Sequence, residues 1–303
     1  MLGVRNAGGA VQVAESLSME ASTLDIDGLR QWIGRKMEHT ERVSAAWCNR
    51  LALTLDRDAN LEDGDPLPPL WHFITHQPLI ATSELDIDGH AKRGEFLPPV
   101  GLPRRMWAGS RFTFHGDIHL GDEVTKVSTV DGIEMKQGRS GALCFVSVNH
   151  TLSVAGEVRI TEVQDLVFRE APTNGSSLSK AASAESKEAQ FGRVVKPSEI
   201  LLFRYSALTF NSHRIHYDRE YTTAVEGYPG LIVHGPLTAT LLADLAIDET
   251  GERLSSFSFR GSAPLFDTAE FEISGSREGS DVELWASTAD GSVAMTAFAT
   301  LAG

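Results

Sequence analysis

The sequence predicts an α+β protein of two units, each an antiparallel sheet wrapped around a central helix. Three observations predict it. From about residue 70 to 169 the chain reads mostly as strand, and from Arg111 onward apolar and polar residues alternate, interrupted by "LGDE", "VDG", "KQGRSG" and "VAGE". That is a meander with one buried face. An apolar helical stretch at 236–247 precedes three strand-like runs at 254–261, 268–276 and 281–300, the last a hairpin around Asp290-Gly291. Between the two blocks, 171–192 is rich in Ser, Ala, Lys and Glu without apolar period, which marks a linker.

Taken in order, residues 1–22 read as a flexible tail. A helix is expected from Thr23, capped by Asp25 or Asp27, with Leu29, Trp32, Ile33 and Met37 on its apolar side. A second is expected over 40–55, where Val43, Trp47, Leu51 and Leu55 recur every four residues, before "DANLEDGDPLPP" breaks regular structure. The N-terminal unit is thus 23–170 and the C-terminal unit 193–303. The latter opens with a short strand at 200–205 and a compact polar segment, "NSHRIHYD". Both units run from helical material into a sheet, and two such units can share one continuous sheet.

Composition narrows the function. The 303 residues carry 27 Lys and Arg against 41 Asp and Glu, a net charge of −14, which opposes a general nucleic-acid binder. Only Cys48 and Cys144 are present, so a reducing, cytoplasmic setting is expected rather than a disulfide framework. No run of about 18 apolar residues suggests a membrane span, and the first residues lack the charged start and apolar core of a signal peptide.

The chemistry concentrates in Arg204–Asp218, "RYSALTFNSHRIHYD", followed at the start of the apolar helix by "IVHGP", whose His234 stands eighteen residues after His216. His216 can trade a proton near neutral pH. Asn211 can hold a water beside it. The Gly235 N–H, at a helix N-terminus, can stabilise an oxygen that gains negative charge. A base, a water site and an oxyanion site are the parts needed to hydrate a double bond conjugated to a carbonyl. His213 and His216 also have the spacing of a metal pair, with Asp218 and His234 nearby, but a zinc site asks for three or four well-placed ligands, and no metal is expected.

The segment resembles the hydratase 2 motif of MaoC-like, hot-dog-fold enoyl-CoA hydratases and dehydratases. His216 falls on the motif's catalytic His and Gly235 on its oxyanion-hole Gly. Two positions depart: Asn211 stands for the motif's catalytic Asp, and His213-Arg214 for its Asn-Pro pair. The variant is similar to mitochondrial 3-hydroxyacyl-thioester dehydratases and to bacterial mesaconyl-C4-CoA and itaconyl-CoA hydratases. Their dehydratase-like N-terminal domain is matched by "GEFLPPVGLPRRMWAGSRFTFH", "VSTVDGIEMKQGRSGALCFVSV" and "TEVQDLVFRE".

The resemblance spans about residues 25–300 and implies a double hot-dog, with catalysis in the second unit and a non-catalytic, substrate-lining first unit. It implies a hydro-lyase acting on a 2,3-unsaturated dicarboxylic acyl-CoA, mesaconyl-C4-CoA or itaconyl-CoA giving (S)-citramalyl-CoA, with coenzyme A only as part of the substrate. His216 would be base and acid, Asn211 would orient the water, and His213 is a second candidate for the proton step. Arg214 is the first candidate for the distal carboxylate, since an Arg fork matches that group. Tyr205 and His234 are further substrate contacts. Arg104 and Arg105, with Arg111, Lys136 and Arg139, are candidates for the CoA phosphates. A homodimer is expected, without nucleic-acid or membrane partners. The alternatives are a straight-chain 3-hydroxyacyl-thioester dehydratase, a non-catalytic acyl-thioester binder and a thioesterase.

Overall fold

Ten strands hydrogen-bond side by side, every neighbouring pair antiparallel, into one continuous sheet. The computed structural model describes residues 25–77, 79–138, 141–170 and 188–303. The expected tail at 1–22, most of the expected linker at 171–192 and the candidate Arg139 lie outside the described residues.

The first unit supplies β1 (Lys36–Arg42), β2 (Arg104–Phe114), β3 (Glu123–Gly138), β4 (Gly141–Val154) and β5 (Glu157–Arg169). The second supplies β6 (Phe191–Val195), β7 (Leu254–Gly261), β8 (Phe271–Glu278), β9 (Asp281–Thr288) and β10 (Val293–Leu301). Their order is β1-β3-β4-β5-β2-β7-β10-β9-β8-β6. The units meet at β2 and β7, from Gly109 opposite Arg260 to Thr113 opposite Ser256. Backbone pairing therefore carries the sheet across the two halves.

Among the described residues four α-helices accompany the sheet: α1 (Ile26–Arg30), α2 (Ala45–Thr54), α3 (Glu199–Leu208) and α4 (Gly235–Thr250). Every residue of α4 from Leu237 to Ala246 is buried, and the helix packs on β7, β8, β9 and β10. Two of its polar residues satisfy themselves internally, Thr238 donating to the His234 carbonyl at 3.3 Å and Thr240 to the Pro236 carbonyl at 2.9 Å. The shorter α2 packs on α3 and on the single turn Trp71–Ile74, and Cys48, Leu51, Leu202, Leu242 and Phe257 join in one core. A second, smaller core gathers Leu29, Leu102, Val130, Val146 and Phe168 in the first unit. Both cysteines are buried free thiols, and burial pushes them up to about 12 for Cys48 and about 11 for Cys144. Neither is a nucleophile at neutral pH. Among the described residues no helix is long and apolar enough to cross a membrane.

Four local expectations are corrected. The helix expected to reach Met37 stops at Arg30, and Met37 lies in β1 opposite Ser128. The chain reverses at Gly34, where φ is 85°, and β1 gains its backbone hydrogen bonds from β3 instead. The second helix begins at Ala45 rather than 40 for the same reason, because 36–42 is consumed by the strand. The run 200–205 is helical: Ser198 caps α3 by accepting from the Leu201 N–H at 3.1 Å, and Leu202, Tyr205, Ser206 and Leu208 form its buried side. Phe191 and Gly192, expected in the linker, open β6 against β8.

Candidate active site

α3 runs directly into the site. Phe210, in the left-handed conformation with φ 49°, turns the chain out of the helix. Asn211 then donates its N–H to the Ser206 carbonyl at 2.8 Å and accepts from the His213 N–H through Oδ1 at 2.9 Å. This side-chain turn leads into the single helical turn Arg214–His216. That turn swings His216 inward, to 7% exposure. The Ile232 carbonyl accepts from His216 Nδ1 at 2.7 Å. A carbonyl can only accept, so Nδ1 holds the proton and Nε2 carries the lone pair.

Behind His216 stands His234, the residue that precedes α4. Its ring stacks on His216 with centroids 3.7 Å apart and planes 18° off parallel. Ser206 shares a hydrogen bond with its Nε2 at 2.8 Å, and Tyr205 meets its ring edge-on at 4.9 Å. His234 is 0% exposed and Tyr205 1%. Their expected role as substrate contacts is therefore corrected for His234 in full: burial keeps it from the cleft, and it holds the His216 ring in place. Tyr205 contributes packing beneath that stack.

Gly235 follows, at the first turn of α4. Pro236 brings no N–H, and the Gly235 N–H makes no hydrogen bond among the described residues. It sits at the positive end of a sixteen-residue helix. A Cβ built at Gly235 would meet only the Met295 side chain, at 3.9 Å, so packing does not demand glycine here. The absent side chain leaves the backbone N–H open to close approach from the cleft. Gly235→Ala is accordingly expected to leave the melting temperature nearly unchanged while lowering kcat by about 10-fold or more, the N–H staying but its access narrowing. Thermal melts and steady-state kinetics on one preparation check both halves.

The first unit reaches into this site through the 86–90 loop. The Asp88 carbonyl accepts from the Arg214 N–H at 2.9 Å, and Ser212 Oγ donates to the Gly89 carbonyl at 2.5 Å. Asp88 Oδ2 lies 2.9 Å from His90 Nδ1, and the His90 ring packs on His213 with centroids 3.9 Å apart. His213 in turn meets His216 edge-on at 5.5 Å. Four imidazoles, His90, His213, His216 and His234, thus form one continuous row.

Burial keeps that row neutral. It pushes His216 down to about 4, against the opposing pull of the Ile232 carbonyl. Burial, then His90 and His216, lowers His213, and burial, then His216 and His213, lowers His234. His90 is lowered by burial and by the Arg105 charge. Burial works to raise Asp88, but the hydrogen bonds from His90 outweigh it and hold the carboxyl ionised. The pair is therefore an aspartate accepting from a neutral imidazole. Asp88, His90 and His213 place possible ligand atoms within 4.8 Å of one another. Two of the three are bonded to each other, and Arg105 adds positive charge beside them, so the cluster is ill suited to a dication.

Among the predicted cations, the structure separates committed from uncommitted ones. Arg214 donates to Asp218 from Nε and Nη2 at 3.0 and 2.7 Å and to the Ile87 carbonyl at 3.2 Å, and it lies over the Tyr221 ring at 4.0 Å. That corrects its assignment as the carboxylate clamp, because Asp218 and the Ile87 carbonyl fill its fork. Arg104 pairs with Glu226 at 2.9 Å and rests over Tyr228, Arg111 pairs with Asp165 at 2.6 Å, and Lys136 with Glu134 at 3.3 Å. The Arg105 side chain makes no hydrogen bond or ion pair among the described residues, and it lines the cleft with His90, His213 and His216.

Farther along the same cleft the wall is polar. Lys126, Ser128, His150 and Glu162 line it. Ser110 donates to Glu162 at 2.7 Å and Ser128 shares a hydrogen bond with His150 at 2.7 Å. Burial raises Glu162 and lowers Lys126, and it pushes His150 down to about 3.

The family model for hydroxyacyl-thioester dehydratase type 2 matches residues 70–267. Mesaconyl-C(4)-CoA hydratase of Chloroflexus aurantiacus is 42% identical over 275 residues, covering 90% of this chain and 97% of that protein. The mitochondrial hydroxyacyl-thioester dehydratase type 2 of Schizosaccharomyces pombe is 28% identical, covering 72% and 80%. Among solved structures, HtdX of Mycobacterium tuberculosis superimposes with TM-score 0.64 at 18% identity over 88% of this chain and 98% of that one. A second protein of that organism, described as a double hotdog fold, gives TM-score 0.54 at 12% identity over 89% and 96%. The fold is thus the double hot-dog, and the chain belongs to the hydroxyacyl-thioester dehydratase type 2 family of MaoC-like hydro-lyases.

Proposed function

We propose that the protein reversibly hydrates mesaconyl-C4-CoA to citramalyl-CoA. One observation carries the reading: a buried, neutral His216 presents a proton-free Nε2 to the cleft, on a ring fixed beside the unpaired Gly235 N–H. The thioester oxygen accepts from that N–H. Water adds its oxygen to the β-carbon as His216 Nε2 takes one of its protons. Electron density shifts to the thioester oxygen as an enolate, which the Gly235 N–H and the helix end stabilise. His216 then returns the proton to the α-carbon, so that H and OH have been added across the double bond. The Asn211 amide, its oxygen already engaged by His213, is left with its NH2 to hold the water. His213 remains the second candidate for the proton step.

The polar wall of Lys126, Ser128, His150 and Glu162 supports a short polar acyl group over a long straight chain, whose burial would strip water from those groups without replacing it. Coenzyme A enters as part of the substrate, with no other cofactor. The buried free thiols fit a reducing, cytoplasmic setting, and a homodimer is the proposed assembly, to be read by light scattering.

The test is to mix the protein separately with mesaconyl-C4-CoA, itaconyl-CoA and crotonyl-CoA, following the conjugated absorbance where present and the gain of one water by mass spectrometry. Hydration of a dicarboxylic thioester in preference to crotonyl-CoA is expected. Hydration of crotonyl-CoA alone would assign straight-chain dehydration. Binding without added water would leave an acyl-thioester binder, and release of free thiol a thioesterase.

The acid limb of the rate profile gives a second check. A base held at about 4 by burial is unprotonated, and so competent, throughout neutral pH, and it is lost only as pH falls through that value. The kcat/KM is therefore expected to stay level from about pH 8 down to about pH 5.5 and to fall near pH 4. A limb near the ordinary histidine value of about 6.5 would show a base other than the buried His216.

A further inference from the structure

Arg105 is a cation of this cleft, near the imidazole row, whose side chain no described residue pairs. It leaves β2 next to Arg104, and successive strand residues point to opposite faces. Arg104 is taken up by Glu226 and Tyr228. Both line the cleft, but the Arg105 charge falls on His90 and His213 of the imidazole row. Its charge bears on Asp88, His90 and His213, yet no carboxylate stands within ion-pair distance of it. Asp88 is the nearest source of compensation, and that carboxylate is bonded to His90. A half-buried guanidinium left without a partner carries an uncompensated desolvation cost, and a ligand anion would offset it.

We propose that Arg105 is the receptor for the free carboxylate of the acyl group, and so the residue that makes the site select a dicarboxylic thioester. The inference rests on the hydratase reading and deepens it. In mesaconyl-C4-CoA the free carboxylate is bonded to the very carbon that receives the hydroxyl, so its receptor has to stand beside the proton-transfer group. The Arg105 charge bears on His213, which meets the His216 ring edge-on at 5.5 Å. The CoA phosphates are separated from that carbon by the whole pantetheine arm, which places them away from the row of imidazoles. A planar fork suits a carboxylate in a way a point charge does not.

The experiment measures binding, by calorimetry, of two saturated thioesters that offer no double bond to hydrate: succinyl-CoA, with a distal carboxylate, and butyryl-CoA, without one. The wild-type protein is expected to prefer succinyl-CoA by about 10-fold or more, the scale of one charge-assisted hydrogen-bonded pair. Arg105→Gln should erase the preference by weakening succinyl-CoA alone, with butyryl-CoA binding as in the wild type. Arg105→Lys should keep part of it, and Arg214→Gln all of it. A preference that survives in Arg105→Gln would overturn the proposal, as would a wild-type protein without preference. Equal weakening of both thioesters would also overturn it and assign Arg105 to the CoA phosphates. Should Arg105→Gln fail to melt cooperatively, the wild-type and Arg105→Lys ratios decide the matter. Failure of the hydratase reading looks different: the preference stands, but mesaconyl-C4-CoA gains no water.

Discussion

His216→Ala is expected to lower kcat by at least about 100-fold and by as much as about 10,000-fold, the range for losing a positioned acid/base group. The size follows from the site's construction. His216 Nε2 is the basic atom fixed by a hydrogen bond on its opposite ring nitrogen, from Nδ1 to the Ile232 carbonyl. Its ring is clamped by His234 on one face and met by His213 at an edge. A second variant separates chemistry from packing. His216→Asn retains an N–H able to reach the Ile232 carbonyl but has no basic atom, and it should lose as much activity as the alanine. Were His216→Asn to keep most of its kcat, the proton would travel through another group, and His213, with His90 and Asp88 behind it, would be next to test. Thioester affinity should survive both substitutions, since the Gly235 N–H and Arg105 are untouched. A mere binder would show the same affinities with no turnover to lose.

Much of this site could be read from the residues between Tyr205 and Pro236, because local spacing fixes it. His216 and Gly235 are each held by neighbours within about one helical element, and the structure places both in the cleft. The strands of the second half were legible for the same reason: β7 spans 254–261 as its alternation indicated, and β9 and β10 turn at Asp290-Gly291. The legible part ended where partners lie far apart in the chain. Nothing in "DIDGH" announces that Asp88 and His90 will pack against His213, more than 120 residues later. Arg214 looked like a free fork because Asp218 and Tyr221, which occupy it, are brought round only by the turn at 214–216. The Arg104-Arg105 pair looked uniform until the fold paired Arg104 with Glu226 and left the Arg105 charge facing His90 and His213. A short apolar run such as 200–205 cannot by itself distinguish strand from helix; the Ser198 cap and the burial of Leu202, Tyr205 and Ser206 settle it as α3.

The dependence of the site on the first half is itself testable at Gly89, and the expected effect is large. This residue has φ 88°, a region that costs an L-residue roughly 1–2 kcal/mol. A Cβ built there would also overlap the Ser212 carbonyl oxygen and approach the His213 Cα at 3.3 Å. Those are backbone atoms of the segment that carries Asn211 and His216, and they cannot step aside as the end of a flexible side chain can. Gly89→Ala must therefore lift the 86–90 loop from the site or move 212–213 with it. Either displacement strains the Ser212–Gly89 and Arg214–Asp88 hydrogen bonds and shifts the imidazole row. A misplacement of about 1 Å in such a constellation can cost on the order of 100-fold, so kcat/KM is expected to fall by about 10- to 100-fold. Gly279 supplies the control. Its φ is 63°, also positive, but a Cβ there meets nothing within 4 Å. Gly279→Ala should pay the backbone strain alone, lowering the melting temperature while leaving kcat/KM as in the wild type. Parallel melts and kinetics on the two variants separate backbone strain from loop displacement. Full activity in Gly89→Ala would show that the first half packs against the site without positioning it, and equal losses of activity in both variants would trace the effect to global stability.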